Sequence, residues 1–250
     1  MAPPEQREGP LQAAPARPVV ERPVPASDPL GRSVLADRVK EWLLEAILSG
    51  SYAPDSRIVE TSVAKDLGIS QAPVREALRG LEALGIVEIA PFRGARVRRL
   101  EAAELLEAYV VRSTIEVLGA RLAMPRLTDD DIAQLMAIGE QMKRAAADGD
   151  GRELAVVDAS LHERIMLLAG NRTLLRVWRS LEPLSRTFIT LAGPGSDPHW
   201  SAALHDPILE AIEARDSDAV ARAIEGHFEE VRERLAGQLP DVVQHPGEAP

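Results

Sequence analysis

The 250-residue chain contains no cysteine, and only 3% of its residues are aromatic. A chain without cysteine has neither a disulfide framework nor a thiolate metal site. It also lacks a run of the roughly 18 apolar residues that a membrane span needs, and its first residues lack the apolar core of a secretory signal. We therefore expect a cytoplasmic protein with no membrane partner. Hydrophobic residues still make up 45% of the chain, enough for a full core.

Acidic residues outnumber basic ones, and the formal net charge is −10. This excess of acid is unevenly distributed along the chain. Residues 30–100 carry 11 Lys and Arg against 9 Asp and Glu, whereas residues 101–250 carry 15 against 26. Phosphate contacts depend on local cationic faces rather than on the charge of the whole chain. The first segment is therefore compatible with nucleic-acid binding, and we expect the acidic segment to stay off DNA.

The stretch from Gly68 to Gly85, GISQAPVREALRGLEALG, predicts a helix with arginines near its start. Ser70 stands where a hydroxyl can cap that helix, and Pro73 falls in the first turn, which tolerates a missing N–H. Further helices are predicted from Ser33 to Ser49 and from Glu60 to Leu67. Two helices joined by a short Gly-containing turn are typical of helix-turn-helix DNA-binding domains. The same residues also fit an ordinary helical hairpin with solvated arginines.

A β-hairpin is predicted directly after this helix. Residues 86–89 are mostly β-branched, residues 91–94 read PFRG, and residues 95–98 alternate between apolar and cationic side chains. A cationic hairpin beside a helix-turn-helix suits a wing that lies along the phosphates while the helix enters the major groove. The alternative is a solvated, charged strand.

From residue 101 to about residue 240 apolar residues recur at helical spacing, which predicts an all-α bundle. The six predicted helices are Ala102–Met124, Asp129–Ala147, Gly151–Ala169, Thr173–Leu191, Trp200–Ala214 and Ser217–Gln238. The predicted fold is mainly α, with three helices and a β-hairpin wing before the six-helix bundle. Its segments are a disordered Pro-rich arm (1–29), a winged helix-turn-helix domain (30–100), an all-helical domain (101–240) and a flexible tail (241–250).

The histidines are the one chemical feature of the predicted bundle. Asp158 precedes His162 by four residues, so both side chains share one helix face. His205 and His227 belong to other predicted helices. Three imidazoles and a carboxylate that converge from three helices would suit Zn²⁺, Ni²⁺ or Mn²⁺. Taken singly, each histidine is more often a hydrogen-bonded core or surface residue.

Residues 33–100 resemble the winged helix-turn-helix of GntR-family bacterial transcription regulators, through APVREALRGLEALGIVEI and the wing PFRGARV. Two residues depart from the family pattern. Most members have Arg where this chain has Gln71, and some have Arg where it has Thr61. The resemblance implies operator DNA as the partner, and one reading helix covers few base pairs, so we expect a homodimer on an inverted repeat. The predicted DNA-contacting residues are Ser70, Gln71, Ala72, Arg75, Arg79, Gly94 and Arg96.

Residues 101–239 resemble the FCD ligand-binding domain of the FadR branch of that family, and the six helices resemble its VanR-like subgroup. The matching segments are VRSTIEVLGARLA, VDASLHERIMLLAGN and LHDPILEAIEARDSDAVARAIEGHF. The resemblance implies a small carboxylate effector contacted by Arg112, although Arg112 could instead form an i,i+4 salt bridge with Glu116 on a helix surface. It also implies a divalent metal bound by Asp158, His162, His205 and His227.

The sequence thus predicts a DNA-binding transcription regulator, a repressor rather than an enzyme, whose operator affinity is controlled by an organic acid bound at the metal. One alternative is a helical metalloenzyme that uses an open metal position to activate water. That reading needs a positioned acid or base beside the metal, and no motif supplies one. The other alternative is a metal sensor without an organic effector, and only its response to organic acids would distinguish it.

Overall fold

The computed structural model describes residues 29–90, 94–99, 101–191 and 197–236. The predicted tail, almost all of the predicted arm, Arg93 of the wing turn and the predicted loop at 193–195 lie outside these residues. The described part confirms a mainly α chain with an N-terminal helix-turn-helix and wing, followed by a helical domain. None of its helices is both long enough and apolar enough to span a membrane.

The N-terminal half contains α1 (Pro29–Leu48), α2 (Glu60–Leu67) and α3 (Gln71–Ala83). Between α2 and α3, Gly68 adopts φ 67°, a left-handed conformation that favours glycine and allows the tight predicted turn. The apolar faces of the three helices and the sheet meet in one core, which includes Leu43, Ile47, Val63, Val74 and Leu78. Burying a side chain of this size contributes about 1.5–3 kcal/mol, so packing stabilises helices that would be marginal alone.

The prediction that the Ser70 hydroxyl caps α3 is wrong. Ser70 has the extended backbone of an N-cap residue, with φ −74° and ψ 163°, but its side chain makes no capping hydrogen bond. A capping hydroxyl normally accepts from the second or third N–H of the helix. Pro73 occupies the third position and has no N–H, which removes one of those two donors. The exposed Ser70 hydroxyl is therefore not committed to the helix.

Three antiparallel strands form a small sheet in the order β1-β3-β2: β1 (Arg57–Ile58), β2 (Val87–Ala90) and β3 (Gly94–Val97). Strands β2 and β3 form the predicted wing hairpin. Strand β1 was not predictable from the sequence, because two residues are too few to show alternation. At the start of β3, Gly94 has φ 79°, and a Cβ there would lie 3.1 Å from the Ile58 carbonyl oxygen. This position therefore requires glycine.

The second half contains seven α-helices within the described residues: α4 (Ala102–Ala123), α5 (Asp129–Ala147), α6 (Gly151–Leu168), α7 (Arg172–Leu191), α8 (Pro198–Ala203), α9 (Asp206–Glu213) and α10 (Ser217–Ala236). The prediction of one helix over Trp200–Ala214, and with it the count of six, is corrected. Pro207 is the second residue of α9 and cannot donate to the carbonyl four residues earlier, so no single helix runs through it. The break places His205 at the start of α9.

Helices α4 and α6 approach closely at Gly119, and α4 also packs against α7 and α10. A Cβ at Gly119 would overlap the Sδ atom of Met166 on α6, so a larger residue would require the Met166 side chain to move. Gly119 and Met166 lie about one turn beyond Glu116 and His162, respectively. The close approach therefore brings the side chains of Glu116 and His162 into contact.

Candidate functional site

The predicted DNA-contacting residues lie at the N-cap of α3, along α3 and on β3. Ser70, Gln71, Ala72, Arg75, Arg79 and Arg96 are exposed, and Gly94 is partly buried. A groove between α3 and the sheet brings together Gln71, Arg75, Arg79 and Gly94. Cationic side chains beside an exposed helix suit contact with a duplex, where arginine can pair with base edges or phosphates.

Arg75 is held by Glu60, the first residue of α2. The Arg75 Nε and Nη2 atoms donate to Glu60 Oε2 at 3.1 and 3.0 Å. Glu60 is less exposed than Arg75, with 23% and 52% of their side-chain surfaces accessible. The bridge therefore ties the guanidinium of α3 to α2 and fixes its position at the groove.

Sequence reasoning missed Arg57 and did not select Thr61, and both line the same groove. Arg57 lies on β1 opposite Arg96 of β3, so two exposed arginines stand side by side across the strand pair. Like charges directly opposite each other are unfavourable in a sheet, and a phosphate would relieve their repulsion. The signal for Arg57 in the sequence was only its charge, because β1 could not be predicted.

The four predicted metal ligands converge in the helical domain. Asp158 and His162 come from α6, His205 from the α8–α9 junction and His227 from α10. One ligand atom from each histidine lies within 4.8 Å of the others, and all three histidines are buried. The Oδ1 atom of Asp158 lies 3.1 Å from His205 Nε2. The fold thus assembles residues that are up to 69 positions apart, from 158 to 227.

The hydrogen bonds of two histidines determine which ring nitrogens carry lone pairs. His162 Nδ1 lies 2.5 Å from Glu116 Oε2, and His205 Nδ1 lies 3.1 Å from the Ser201 carbonyl oxygen. Both contacts need a donating Nδ1–H, so in the neutral rings each Nε2 atom carries a lone pair. The two Nε2 atoms are 3.2 Å apart. Metal–nitrogen distances of about 2.0–2.1 Å in tetrahedral coordination imply a similar separation, roughly 3.3 Å.

His227 has a buried ring nitrogen, Nδ1, that makes no hydrogen bond within the described residues. An unpaired buried polar atom is unfavourable, and a metal ion would remove that penalty. The facing Nε2 atoms of His162 and His205, a ring nitrogen of His227 and the Asp158 carboxylate form a nitrogen-rich donor set. These residues fit a divalent ion such as Zn²⁺, Ni²⁺ or Mn²⁺.

The charges in the cluster favour the ligand forms of two residues. Burial alone would raise the pKa of Asp158, but the neighbouring histidines, His205 first, outweigh burial, and the pKa is lowered. Burial lowers the pKa of His227 well below its ordinary value, and His205 and His162 lower it further. Asp158 is therefore an anion and His227 a neutral imidazole at neutral pH, the forms that bind a metal.

Arg112 forms the predicted i,i+4 pair with Glu116, but the pair is buried and does not lie on the helix surface. Arg112 Nε and Nη2 donate to Glu116 Oε1 at 2.9 and 2.7 Å, and both side chains are less than 5% exposed. The Phe228 ring lies near both, with its centroid 5.3 Å from Arg112 Cζ and 5.0 Å from the centroid of the His227 ring. Arg112 therefore lies beside the metal-ligand cluster.

A surface recess between α8, α9 and α10 reaches one member of this cluster. It is lined by Trp200, Pro207, Gly226 and Glu230, and His227 forms part of its wall. A small molecule in the recess would therefore lie beside His227.

Comparison with known proteins agrees with both halves of the fold. Residues 35–97 match the family of bacterial regulatory proteins named gntR, and residues 107–230 match the FCD domain. A relative from Paenarthrobacter nicotinovorans, the "Probable D-xylose utilization operon transcriptional repressor", is 33% identical over 198 residues, which are 79% of this chain and 87% of the relative. The chain belongs to the GntR family. It is an FCD-containing transcription regulator of that family.

Other GntR regulators match over most of their length. The HTH-type transcriptional repressor RspR of Escherichia coli is 28% identical over 187 residues, which are 73% of this chain and 81% of RspR. The solved structure of E. coli McbR/YncC superposes with a TM-score of 0.72 at 22% identity, over 82% of this chain and 98% of that one. This structure shares the fold of the GntR chain described here.

Proposed function

We propose that this GntR regulator is a homodimeric repressor that binds an inverted-repeat operator under the control of a small organic carboxylate. The effector would bind at a divalent metal held by Asp158, His162, His205 and His227. One observation carries the proposal. Three buried imidazoles and a carboxylate converge in the helical domain, away from the DNA-contacting face. Two relatives, from P. nicotinovorans and E. coli, are named as repressors, which supports repression rather than activation.

A bound divalent ion would supply positive charge and open coordination positions for an oxygen ligand. Four protein ligands leave one or two positions open if the ion is five- or six-coordinate. The recess at His227 supports access of a small molecule to those positions. Arg112 would contact the other end of the effector through Nη1, because Nε and Nη2 already donate to Glu116.

The charges of the site favour an effector with one carboxylate. Arg112 and Glu116 form a neutral pair, and Asp158 offsets one of the two charges of a divalent ion. One positive charge then remains in a buried site, where unbalanced charge is strongly unfavourable. A monocarboxylate would balance it, whereas a dicarboxylate would leave an excess of negative charge.

A metal sensor without an organic effector is the second candidate. The observation that favours it is the neutralisation of Arg112 by Glu116, since Arg112 is then less available to an external anion. The metalloenzyme alternative has less support. Asp158 is a proposed ligand, and Glu116, the other carboxylate that contacts a histidine of the cluster, accepts hydrogen bonds from Arg112, Trp178 and His162 and so is not a free base.

The proposed dimer would use an exposed apolar face of the helical domain. On α4, Val111, Leu118 and Leu122 are exposed at 47%, 48% and 38%, and Val177 on the neighbouring α7 is exposed at 42%. Large apolar side chains grouped on adjacent helices are typical of a protein–protein interface. A second copy of the chain would bury them and set two α3 helices for two operator half-sites.

Contacts between the two halves offer a route for control. Arg152 on α6 donates to Glu45 on α1 at 2.8 Å, and Arg98 after β3 bonds both the Gly85 carbonyl oxygen and Glu104 on α4. An effector that favours one arrangement of these contacts would change operator affinity. A tenfold change needs only about 1.4 kcal/mol of coupling.

A thermal-shift screen of small monocarboxylates and dicarboxylates tests the proposal on metal-loaded and metal-stripped protein. A specific ligand raises the unfolding temperature by mass action. We expect at least one monocarboxylate to stabilise only the metal-loaded protein and to weaken its binding to an operator selected from random DNA. If metal alone changes operator affinity and no acid binds, the metal-sensor alternative is correct.

A further inference from the structure

Glu116 is a buried carboxylate that accepts hydrogen bonds from three other helical side chains. His162 Nδ1 on α6 lies 2.5 Å from Oε2, while Arg112 on α4 and Trp178 Nε1 on α7 donate to Oε1, the latter at 2.6 Å. Only 2% of Glu116 is exposed. A carboxylate with this many donors is held in one orientation, so the position of each oxygen is fixed by the surrounding helices.

We infer that Glu116 is a positioning residue that orients His162 for the metal and couples the metal to Arg112. The inference rests on the proposed function, because it concerns the same metal. It assigns a role to a residue that is neither a proposed ligand nor a proposed effector contact.

The first half of this role follows from the geometry of His162. By accepting the Nδ1–H, Glu116 fixes the tautomer that leaves a lone pair on Nε2, and it sets the rotation of the ring. The Nε2 atom then points toward His205 Nε2, 3.2 Å away. A carboxylate on the far nitrogen also makes an imidazole a stronger donor to a metal, and removing such a partner typically lowers metal affinity about 10–100-fold.

The second part of this role, the coupling of the metal to Arg112, follows because His162 and Arg112 share the Glu116 carboxylate. A metal on His162 Nε2 would draw electron density from the ring and make the Nδ1–H a stronger donor to Glu116 Oε2. The charge that Glu116 offers to Arg112 through Oε1 would then fall. Arg112 would therefore be more available to the far end of the effector when the metal is bound.

Titration of the metal-stripped full-length chain with Co²⁺ tests the inference, with the visible ligand-field bands of Co²⁺ as the readout. The test variant is Glu116→Gln, which keeps the shape of the side chain and removes its charge. The matched control is Glu107→Gln, since Glu107 is exposed on the same helix. Because an unpaired Arg112 can destabilise the fold, the double variant Arg112→Met/Glu116→Gln removes both charges of the buried pair and is titrated in parallel.

We expect Glu116→Gln and the double variant to bind Co²⁺ about 10–100-fold more weakly than wild type, with altered band positions, while Glu107→Gln behaves as wild type. A purely structural role would lower the unfolding temperature but leave the Co²⁺ affinity and bands of the folded double variant unchanged, and that result overturns the inference. If wild type itself binds no Co²⁺, the proposed metal site fails, which is a distinct outcome.

Discussion

The Nε2 atoms of His162 and His205 lie 3.2 Å apart, although the two residues are separated by 43 positions and belong to different helices. Neutral imidazoles that both use Nδ1–H elsewhere cannot hydrogen-bond to each other through Nε2. When both rings are neutral, two lone pairs therefore face each other in a buried site, and a cation between them would turn that repulsion into attraction. The metal proposal depends on this relationship.

Replacing Arg75 by Ala should weaken binding to the selected operator by about 1–3 kcal/mol if Arg75 pairs with a base edge. Glu60 holds its guanidinium at the groove, so the side chain is positioned before DNA arrives. Gel-shift titration measures the change. Arg222→Ala is the control, because Arg222 is exposed on α10 in the other domain. Unchanged operator affinity for Arg75→Ala would remove this residue from the reading surface.

Arg57→Ala should weaken binding to operator and to non-specific DNA about equally. Arg57 lies on β1 beside Arg96, at the edge of the groove, where a phosphate contact is expected. The slope of log affinity against log salt should fall by about 1. A loss confined to the operator, with the salt slope unchanged, would instead indicate that Arg57 reads a base.

Leu118→Glu should prevent or weaken dimer formation, because it places a charge on the exposed apolar face of α4. Light scattering at micromolar concentration should then give the mass of a monomer, and operator affinity should fall. Val156→Glu is the matched control, since Val156 is exposed at 37% on a different helix, α6. A wild-type chain that is monomeric with and without operator would contradict the dimer itself.

The stability difference between wild type and Glu116→Gln should depend on pH. Burial alone would raise the pKa of Glu116, but Arg112 and His162 outweigh it and lower the pKa from 4.5 to about 2. A carboxyl with a lowered pKa contributes stability above its unfolded pKa and loses it as pH falls through the folded pKa. Urea unfolding of metal-stripped protein should therefore show a gap that shrinks as the pH falls from about 5 toward 2. A gap that stays constant over this range would contradict the ionised pair.

Helix positions were largely predictable because long amphipathic patterns and glycine turns are local signals. The predicted bounds of α2, for example, agree with the structure, since Glu60 to Leu67 is enclosed by an extended residue and a left-handed glycine. The break at His205 was missed because apolar spacing continues across it, although Pro207 was the available signal. Strand β1 was missed because its two residues gain their structure only from pairing with β3.

The candidate site was predictable in part. The four proposed metal ligands came from the family resemblance and one local Asp-His spacing, and the structure brings them together. The role of Glu116 was not predictable, because an i,i+4 Arg-Glu pair has the same appearance in a sequence whether it is buried or exposed. Its burial depends on Trp178 and on the close approach of helices at Gly119, both of which are tertiary features.

The most direct test of the central claim is calorimetric titration of a stabilising monocarboxylate into metal-loaded wild type, His205→Ala and Arg112→Ala, with metal content measured by atomic emission. We expect wild type to hold metal and bind the acid. His205→Ala should lose both properties but keep a folded winged domain, and Arg112→Ala should keep the metal but bind the acid more weakly. Full affinity for the acid in metal-free protein would show that the effector binds elsewhere and would contradict the proposed site.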